Sequence, residues 1–435
     1  MRVCQETVVI PNRKRPNNAT LLTSGPGRQT IHDVSTHGAL HQLRTANRRH
    51  VIETLRSNGA MTRSALARAT GLSRTTISTL LAELIERGLV SEASDDGRRG
   101  AGRPATLVRL DHSAGAAVSI DIGARHVAVA VGDLGHRVMA EHWMALPAGH
   151  TGSEGMDRAT KLAGEMLDKA GVDSGSVLGV AMGLPAPISQ PDGVVASSNI
   201  LPGWAGLRVT EEMSERLGLP VFIENDANLG ALAESAWGAG AGFDQVAYIK
   251  AATGIGAGLV NGGQLFRGTT GTAGEIGHTT VVEDGPICRC GNRGCLELYA
   301  GGAALLEALR QSHSDIETLD QVVQLAAEGH PACVRVLSDA GAHIGVAIAN
   351  LINLFNPRRI IVGGELSAAG ETMLLPMRVA AQRSAVQTAV EAVEIVPGVL
   401  GHRAEVLGGL ALVLFEPWRF GASELVSSAI PAPAV

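Results

Sequence analysis

The chain has 435 residues, 45% of them apolar, with 54 glycines and only 6 Phe, 4 Trp and 2 Tyr, so at least two compact units with cores of Ala, Val, Leu and Ile and many tight turns are expected. Its net charge of -6 divides unevenly: residues 1–110 carry 17 Lys and Arg against 8 Asp and Glu, and the remainder carries 19 against 34, as when a phosphate-binding head precedes an acidic body, although a solvated basic surface would look the same. Five cysteines are too few for a disulfide scaffold, and the lack of a signal-type stretch or of an apolar run of roughly 18 residues leaves a cytoplasmic chain without a membrane partner as the expectation.

Residues 1–36 are rich in Asn, Pro, Arg, Thr and Gly and cannot bury enough apolar surface to offset ordering, so a disordered basic segment is expected there. It is either a DNA-contacting arm or the product of an upstream start. From Ala39, Leu40, Leu43, Val51, Ile52 and Leu55 recur at helical spacing and stop at Asn58-Gly59, which predicts a first helix. Thr62 caps a second helix through Ala69, Gly71 supplies the turn, and Ser73 caps a third helix to about Arg87. The third helix buries Ile77, Leu80, Leu81, Leu84 and Ile85 and leaves Ser73, Arg74, Thr75, Thr76 and Ser78 at its open N-terminal end. The spacing of Ala67, Gly71 and Ile77 fits a helix-turn-helix: a small residue at the helix contact, a turn glycine, and a β-branched anchor for the recognition helix.

Two strand-like runs then flank a Gly- and Arg-rich tip in LVSEASDDGRRGAGRPATLVRL, the pattern of a β-wing. Arg98, Arg99 and Arg103 at the tip suit phosphates or a minor groove, and Arg74 with its hydroxyl neighbours suits base edges. A three-helix protein-interaction module shares the helical pattern, and the wing arginines favour DNA. Residues 37–110 therefore form the expected winged helix-turn-helix domain.

Beyond Leu110, strand, glycine turn and helix repeat. AAVSIDIGARHVAVAVGDL predicts a hairpin turning at Gly123, LGVAMGLPAPI a buried strand entering a Gly/Pro loop, and VAYIKAATGIGAGLVNGGQLFRG a second set. Two such halves imply two lobes around a cleft over residues 111–425, with 426–435 a flexible tail. His278, Cys288, Cys290 and Cys295 supply one imidazole and three thiolates in a short glycine-eased loop, a set suited to structural Zn²⁺ with no open position. Cys4 and Cys333 stand apart as reduced thiols.

Three constellations occur in order: Glu224-Asn225-Asp226-Ala227-Asn228, GEIGH at 274–278, and CRCGNRGCLE at 288–297. With the N-terminal reader they closely resemble the ROK family of repressors, open reading frames and kinases, from about residue 40 onward. The resemblance implies an α/β fold: an N-terminal winged helix-turn-helix followed by a two-lobed sugar-kinase-like domain of the actin/hexokinase, ribonuclease-H-like type. It implies zinc at the His/Cys positions and sugar contacts from Asn225, Asp226, Glu275, His278 and Glu297, with Asn199 a further candidate. His278 would then be shared between metal and sugar.

In the family's kinases the position of Asp226 is the general base, taking the proton of the attacking sugar hydroxyl. As a plain acceptor it would serve a receptor equally well. Those kinases carry a first phosphate loop of the form DxGGT, where this chain has Asp121-Ile122-Gly123-Ala124-Arg125, losing backbone access and a hydroxyl donor. The second loop, Ala251-Ala252-Thr253-Gly254-Ile255-Gly256, lacks its first glycine. The Gly363-Gly364 pair is kept, where packing needs a turn as much as adenosine does. The expectation is a non-enzymatic regulator of carbohydrate metabolism genes that binds operator DNA as a homodimer or homotetramer and answers to a sugar. The alternatives are a bifunctional ATP-dependent sugar kinase and a repressor controlled by a protein partner.

Overall fold

The computed structural model describes residues 50–56, 58–86, 88–94, 106–112, 114–189, 193–195, 200–310 and 312–416, with positions 44, 47 and 48. Residues 1–36, the predicted helix start at Ala39, Cys4 and the tail at 426–435 lie outside them.

The reader begins with helix α1 (residues 51–56). Strand β1 (Met61–Thr62), α2 (Arg63–Thr70), α3 (Arg74–Glu86), β2 (Val90–Ser94) and β3 (Thr106–Leu110) follow. Thr62 Oγ1 accepts the N–H of Ala65 (3.2 Å), and Gly71 ends α2 in the left-handed conformation (φ 69°). The sheet order is β1-β3-β2, both pairs antiparallel, which closes a winged helix-turn-helix. Val51, Leu55, Leu66, Ile77, Leu80, Leu81, Leu84, Val90 and Val108 form its core; Ile85 is only half-buried. That core does not stop at the end of the reader, because Leu134, Leu178 and Leu414 pack against it.

The body contains two sheets of the same plan. In the first, β4 (Ala116–Ile122), β5 (His126–Asp133) and β6 (Val138–Ala145) form an antiparallel meander. After α4 (Gly152–Ala170), β7 (Val177–Leu184) pairs parallel to β4. The ribbon β8 (Ile188–Ser189) and β9 (Val194–Val195) and helix α5 (Val209–Leu217) lead to β10 (Val221–Asn225), parallel to β7. The second sheet repeats this: β11 (Gln245–Ala251), β12 (Ile255–Asn261) and β13 (Gln264–Leu265) form a meander, and β14 (Arg359–Gly363) and β15 (Glu394–Pro397) add in parallel. Parallel neighbours need long crossovers, which the helices supply.

Between these sheets lie α6 (Asp226–Trp237) and the final helix, which follows α7 (Glu297–Ala300), α8 (Gly302–Arg310), α9 (Leu319–Ala327), α10 (Pro331–Phe355), α11 (Glu371–Ser384) and α12 (Gln387–Val390) and is therefore α13 (Ala404–Phe415). Residues 226–234 of α6 and 404–413 of α13 are buried without interruption, as expected of helices covered on every side. Helix α10 is the one described helix whose length and composition would suit a membrane, and its buried face of Leu337, Ile344 and Ile348 belongs instead to the core under the second sheet.

Where the reader meets the body, His136 sits at φ 65°, accepts the indole N–H of Trp237 on Nδ1 (3.3 Å) and touches the ring of Phe415 (5.2 Å between centroids). Burial, helped by nearby Arg56, pushes its imidazole down to about 4 from an ordinary 6.5. The neutral ring is the native form, so the stability it contributes is complete above pH 6.5 and is lost as pH falls towards 4. The loss amounts to about 3 kcal/mol. His136→Asn tolerates the left-handed backbone and cannot titrate; urea unfolding at pH 7 and pH 4.5 is expected to show a smaller drop in this variant than in the parent chain.

Candidate functional site

A cleft of about 510 Å³ opens between the lobes, bordered by Ala124, His126, Trp143, Asn225, Asp226, Lys250, Thr253, Glu275, His278, Arg289 and Glu297 among others. Five of the six residues expected to contact sugar border this one space: Asn225, Asp226, Glu275, His278 and Glu297. Asn199 lies outside the described residues.

Asn225 ends β10 and caps α6, its Oδ1 accepting the N–H groups of Ala227 (2.9 Å) and Asn228 (3.3 Å) while Nδ2 donates to the carbonyl of Ala186 (3.2 Å). One amide hydrogen remains for a ligand, so Asn225 is a donor to the cleft. Behind it, the Glu224 carboxylate accepts from the side chain of Asn228 (2.9 Å) and from Arg267 Nε (2.6 Å), and Arg267 also reaches Glu416 (3.3 Å). This buried set fixes the β10–α6 corner.

Asp226 does not face the cleft alone. Lys250 on β11 places its ammonium 2.8 Å from Asp226 Oδ2 and 3.0 Å from Glu405 Oε1 at the start of α13. Burial works against this charge; the carboxylates of Asp226, Glu405 and Asp121 outweigh it and hold Lys250 well above the ordinary lysine value. Next to them, His126 Nε2 meets Asp121 Oδ2 at 2.8 Å, and the imidazole lies nearly parallel to Trp143 (6.0 Å). Burial opposes the His126 cation, but its bond to Asp121 prevails and raises its pKa. A side chain at Gly123 would place its Cβ 2.3 Å from this ring, so the tight hairpin and the imidazole require each other.

On the opposite wall Arg289 pairs with Glu297 (2.9 Å). Burial, together with the charges of Asp226 and Glu297, pushes Glu275 up to about 7, with Arg289 opposing. Near neutral pH its carboxyl can therefore donate or accept. Gly363 and Gly364 are packing requirements: Cβ atoms there would lie 2.2 Å from the Tyr248 hydroxyl and 2.4 Å from the Ala251 carbonyl.

Beside the cleft, the ligand atoms of His278, Cys288, Cys290 and Cys295 all fall within 4.8 Å of one another. Cys288 Sγ lies 3.7 Å from His278 Nδ1, and Cys290 Sγ lies 3.6 Å from Cys295 Sγ. A tetrahedral ion with bonds of about 2.0–2.3 Å separates its ligand atoms by about 3.5–3.8 Å, so the four groups fit a bound metal ion. Nδ1 faces the thiols.

The ROK family pattern matches residues 117–416, and a MarR family pattern matches residues 45–100. The chain belongs to the ROK family. A xylose repressor of Caldicellulosiruptor bescii is 30% identical over 392 residues, covering 87% of this chain and 98% of the relative. A glucokinase of Thermotoga maritima is 34% identical over 249 residues, 54% of this chain and 78% of that enzyme. Among solved structures, a ROK family transcriptional regulator described as a homologue of the Escherichia coli MLC protein superposes with a TM-score of 0.74 at 26% identity, over 89% of this chain and all of the other. The ROK family thus holds both repressors and kinases near this chain, and the match to the repressor extends through the reader.

On that reader, Ser73, Arg74, Thr75 and Ser78 are exposed and Thr76 is half-buried. Ser73 Oγ caps α3 by accepting the Thr76 N–H (3.1 Å) and bonds the Thr76 hydroxyl (2.8 Å), which leaves Arg74, Thr75 and Ser78 as the freer face. Arg98, Arg99 and Arg103 lie outside the described residues. Arg63 ties α2 to the wing through Glu92 (2.6 Å). Sequence reasoning missed Lys250, Glu405, His126, Arg289 and Arg267. One signal was available for Lys250: a lone cation inside the apolar strand VAYIKA.

Proposed function

We propose that this chain is a cytoplasmic, sugar-responsive DNA-binding repressor of carbohydrate metabolism genes, with a reader at 37–110 and a ROK body at 111–425 that binds sugar without phosphorylating it. The observation that carries the reading is the union, in one chain, of a winged helix-turn-helix with an open α3 face and a cleft whose Asp226 is already ion-paired to Lys250. Arg74, Thr75 and Ser78, with Ser73 and Thr76 at the cap and Arg98, Arg99 and Arg103 on the wing, are the proposed DNA contacts. A C2 dimer suits a palindromic operator.

Asn225, Asp226, Glu275, His278 and Glu297, with Asn199, are the proposed sugar contacts: Asp226 accepts, Asn225 donates and Glu275 does either. Zinc on His278, Cys288, Cys290 and Cys295 is the proposed structural ion, and it turns the other imidazole nitrogen of His278 to the sugar. A phosphoryl-transfer base must reach the proton of the attacking hydroxyl, and one oxygen of Asp226 is already engaged by Lys250 (2.8 Å). The lining of the cleft also includes Glu317, Asp320 and Glu365, carboxylates that would repel a polyphosphate.

The test is fluorescence anisotropy of the full chain on DNA from upstream of its own gene, titrated with D-xylose, D-glucose and N-acetylglucosamine. A salt-sensitive complex whose affinity one sugar changes is expected, and Arg74→Ala should weaken it by about tenfold or more. Affinity indifferent to every sugar would favour control by a protein partner. ADP release with any of these sugars, abolished by Asp226→Asn, would overturn the non-enzymatic reading.

For the metal, elemental analysis of the purified chain is expected to find zinc at one equivalent. Cys290→Ser should lose it, lower the melting temperature and weaken sugar binding.

A further inference from the structure

Lys250 does more than neutralise Asp226, because its second partner belongs to a different element. Glu405 stands in the first turn of α13, while Leu414 at the other end of that helix packs against the reader core beside Leu134 and Leu178. Nine residues of helix span about 14 Å. One helix, buried from Ala404 to Val413, therefore runs from the ammonium that holds the cleft aspartate to the surface on which the DNA reader rests.

We propose that the Lys250–Glu405 ion pair is the coupling element of this protein, transmitting occupancy of the cleft along α13 to the reader. The inference rests on the sugar-responsive reading above and names how the response travels. An ammonium carries three N–H donors, and Asp226 and Glu405 share it at 2.8 and 3.0 Å. A sugar hydroxyl that donates to Asp226 competes for that carboxylate and shifts the ammonium towards Glu405. Since α13 is buried against the first sheet and α6, it answers such a pull as a rigid body rather than by local bending. The movement reaches Leu414 and also Phe415, whose ring stacks edge-on against His136. Tyr248, whose hydroxyl donates to Glu405 (3.3 Å), supports the carboxylate from the sheet side. Lys250 and Glu405 are thus positioning residues, and their effect is on the linkage between two bindings rather than on either alone.

The experiment compares DNA affinity with and without a saturating concentration of whichever of D-xylose, D-glucose or N-acetylglucosamine the parent chain answers to, and measures the sugar Kd by calorimetry on the same samples. Glu405→Gln keeps size and hydrogen-bonding capacity but removes the charge, and Leu414→Ala interrupts the path at its reader end. In both, the ratio of DNA affinities is expected to fall towards one, and in Leu414→Ala, which leaves the cleft untouched, the sugar Kd is expected to stay within about threefold of the parent; parent ratios for such linkages run from about 5 to 150. A parent-like ratio in both variants overturns the proposal. So does an equal loss in Glu141→Gln, which breaks the exposed Arg403–Glu141 pair beside the start of α13 (2.7 Å) and leaves Lys250 untouched. A parent chain that ignores all three sugars fails at the earlier step, before any variant is made, and overturns both readings together.

Discussion

A lysine ammonium enclosed by carboxylates is stable only where every charge has a partner, and the arrangement of this molecule follows from meeting that condition around Lys250. Its partners come from separate elements: Asp226 from the start of α6, Glu405 from the start of α13, and Asp121, at longer range, from the end of β4. Removing the ammonium would leave the two paired carboxylates buried against each other, and breaking such a pair costs about 3–5 kcal/mol. The charge therefore ties both lobes and both central helices to one point. Lys250 and Asp226 both border the cleft, so the same charge belongs to the site as well as to the interior.

The legibility of the chain follows the range of the interactions. Local signals read well: the Thr62 and Ser73 caps and the Gly71 turn are chemistry within a few residues, and each is found at its position. The hairpin at Gly123 and the clustered His278, Cys288, Cys290 and Cys295 are short-range patterns too. The polar groups that set the electrostatics of the cleft are another matter. Lys250 meets Glu405 across 155 positions and Arg267 meets Glu224 across 43, and no local period carries such pairings. The lone Lys in VAYIKA marks a buried cation but not its partners.

Asn225 shows the same limit inside a recognisable motif. Its place in Glu224-Asn225-Asp226 brings it to the cleft, yet the structure uses its carbonyl oxygen to cap α6 and one amide hydrogen to hold the Ala186 loop. The residue type predicts a polar contact with either polarity; the local geometry leaves a donor. Glu275 is the complementary case, since burial near Asp226 and Glu297 brings its pKa to about 7. A carboxyl that is half protonated near neutrality can match either polarity of a hydroxyl, whereas Asp226, held by Lys250, offers acceptors.

The repeated sheet plan explains why a receptor can be built on this body without remaking it. Each sheet places a meander and two parallel strands so that the loops after β4, β7, β10 and β11 converge on one cleft, and α6 and α13 fill the space between. The departures of this chain from the phosphate-loop pattern of the family's kinases fall in the loops at Gly123–Arg125 and Ala252–Gly254, at the rim of the cleft and outside the core. The reader joins this body by extending its own core onto Leu134, Leu178 and Leu414. A contact made of apolar side chains has no directional preference of its own. A displacement of α13 would therefore be felt by the reader through Leu414 without any directional bond having to break.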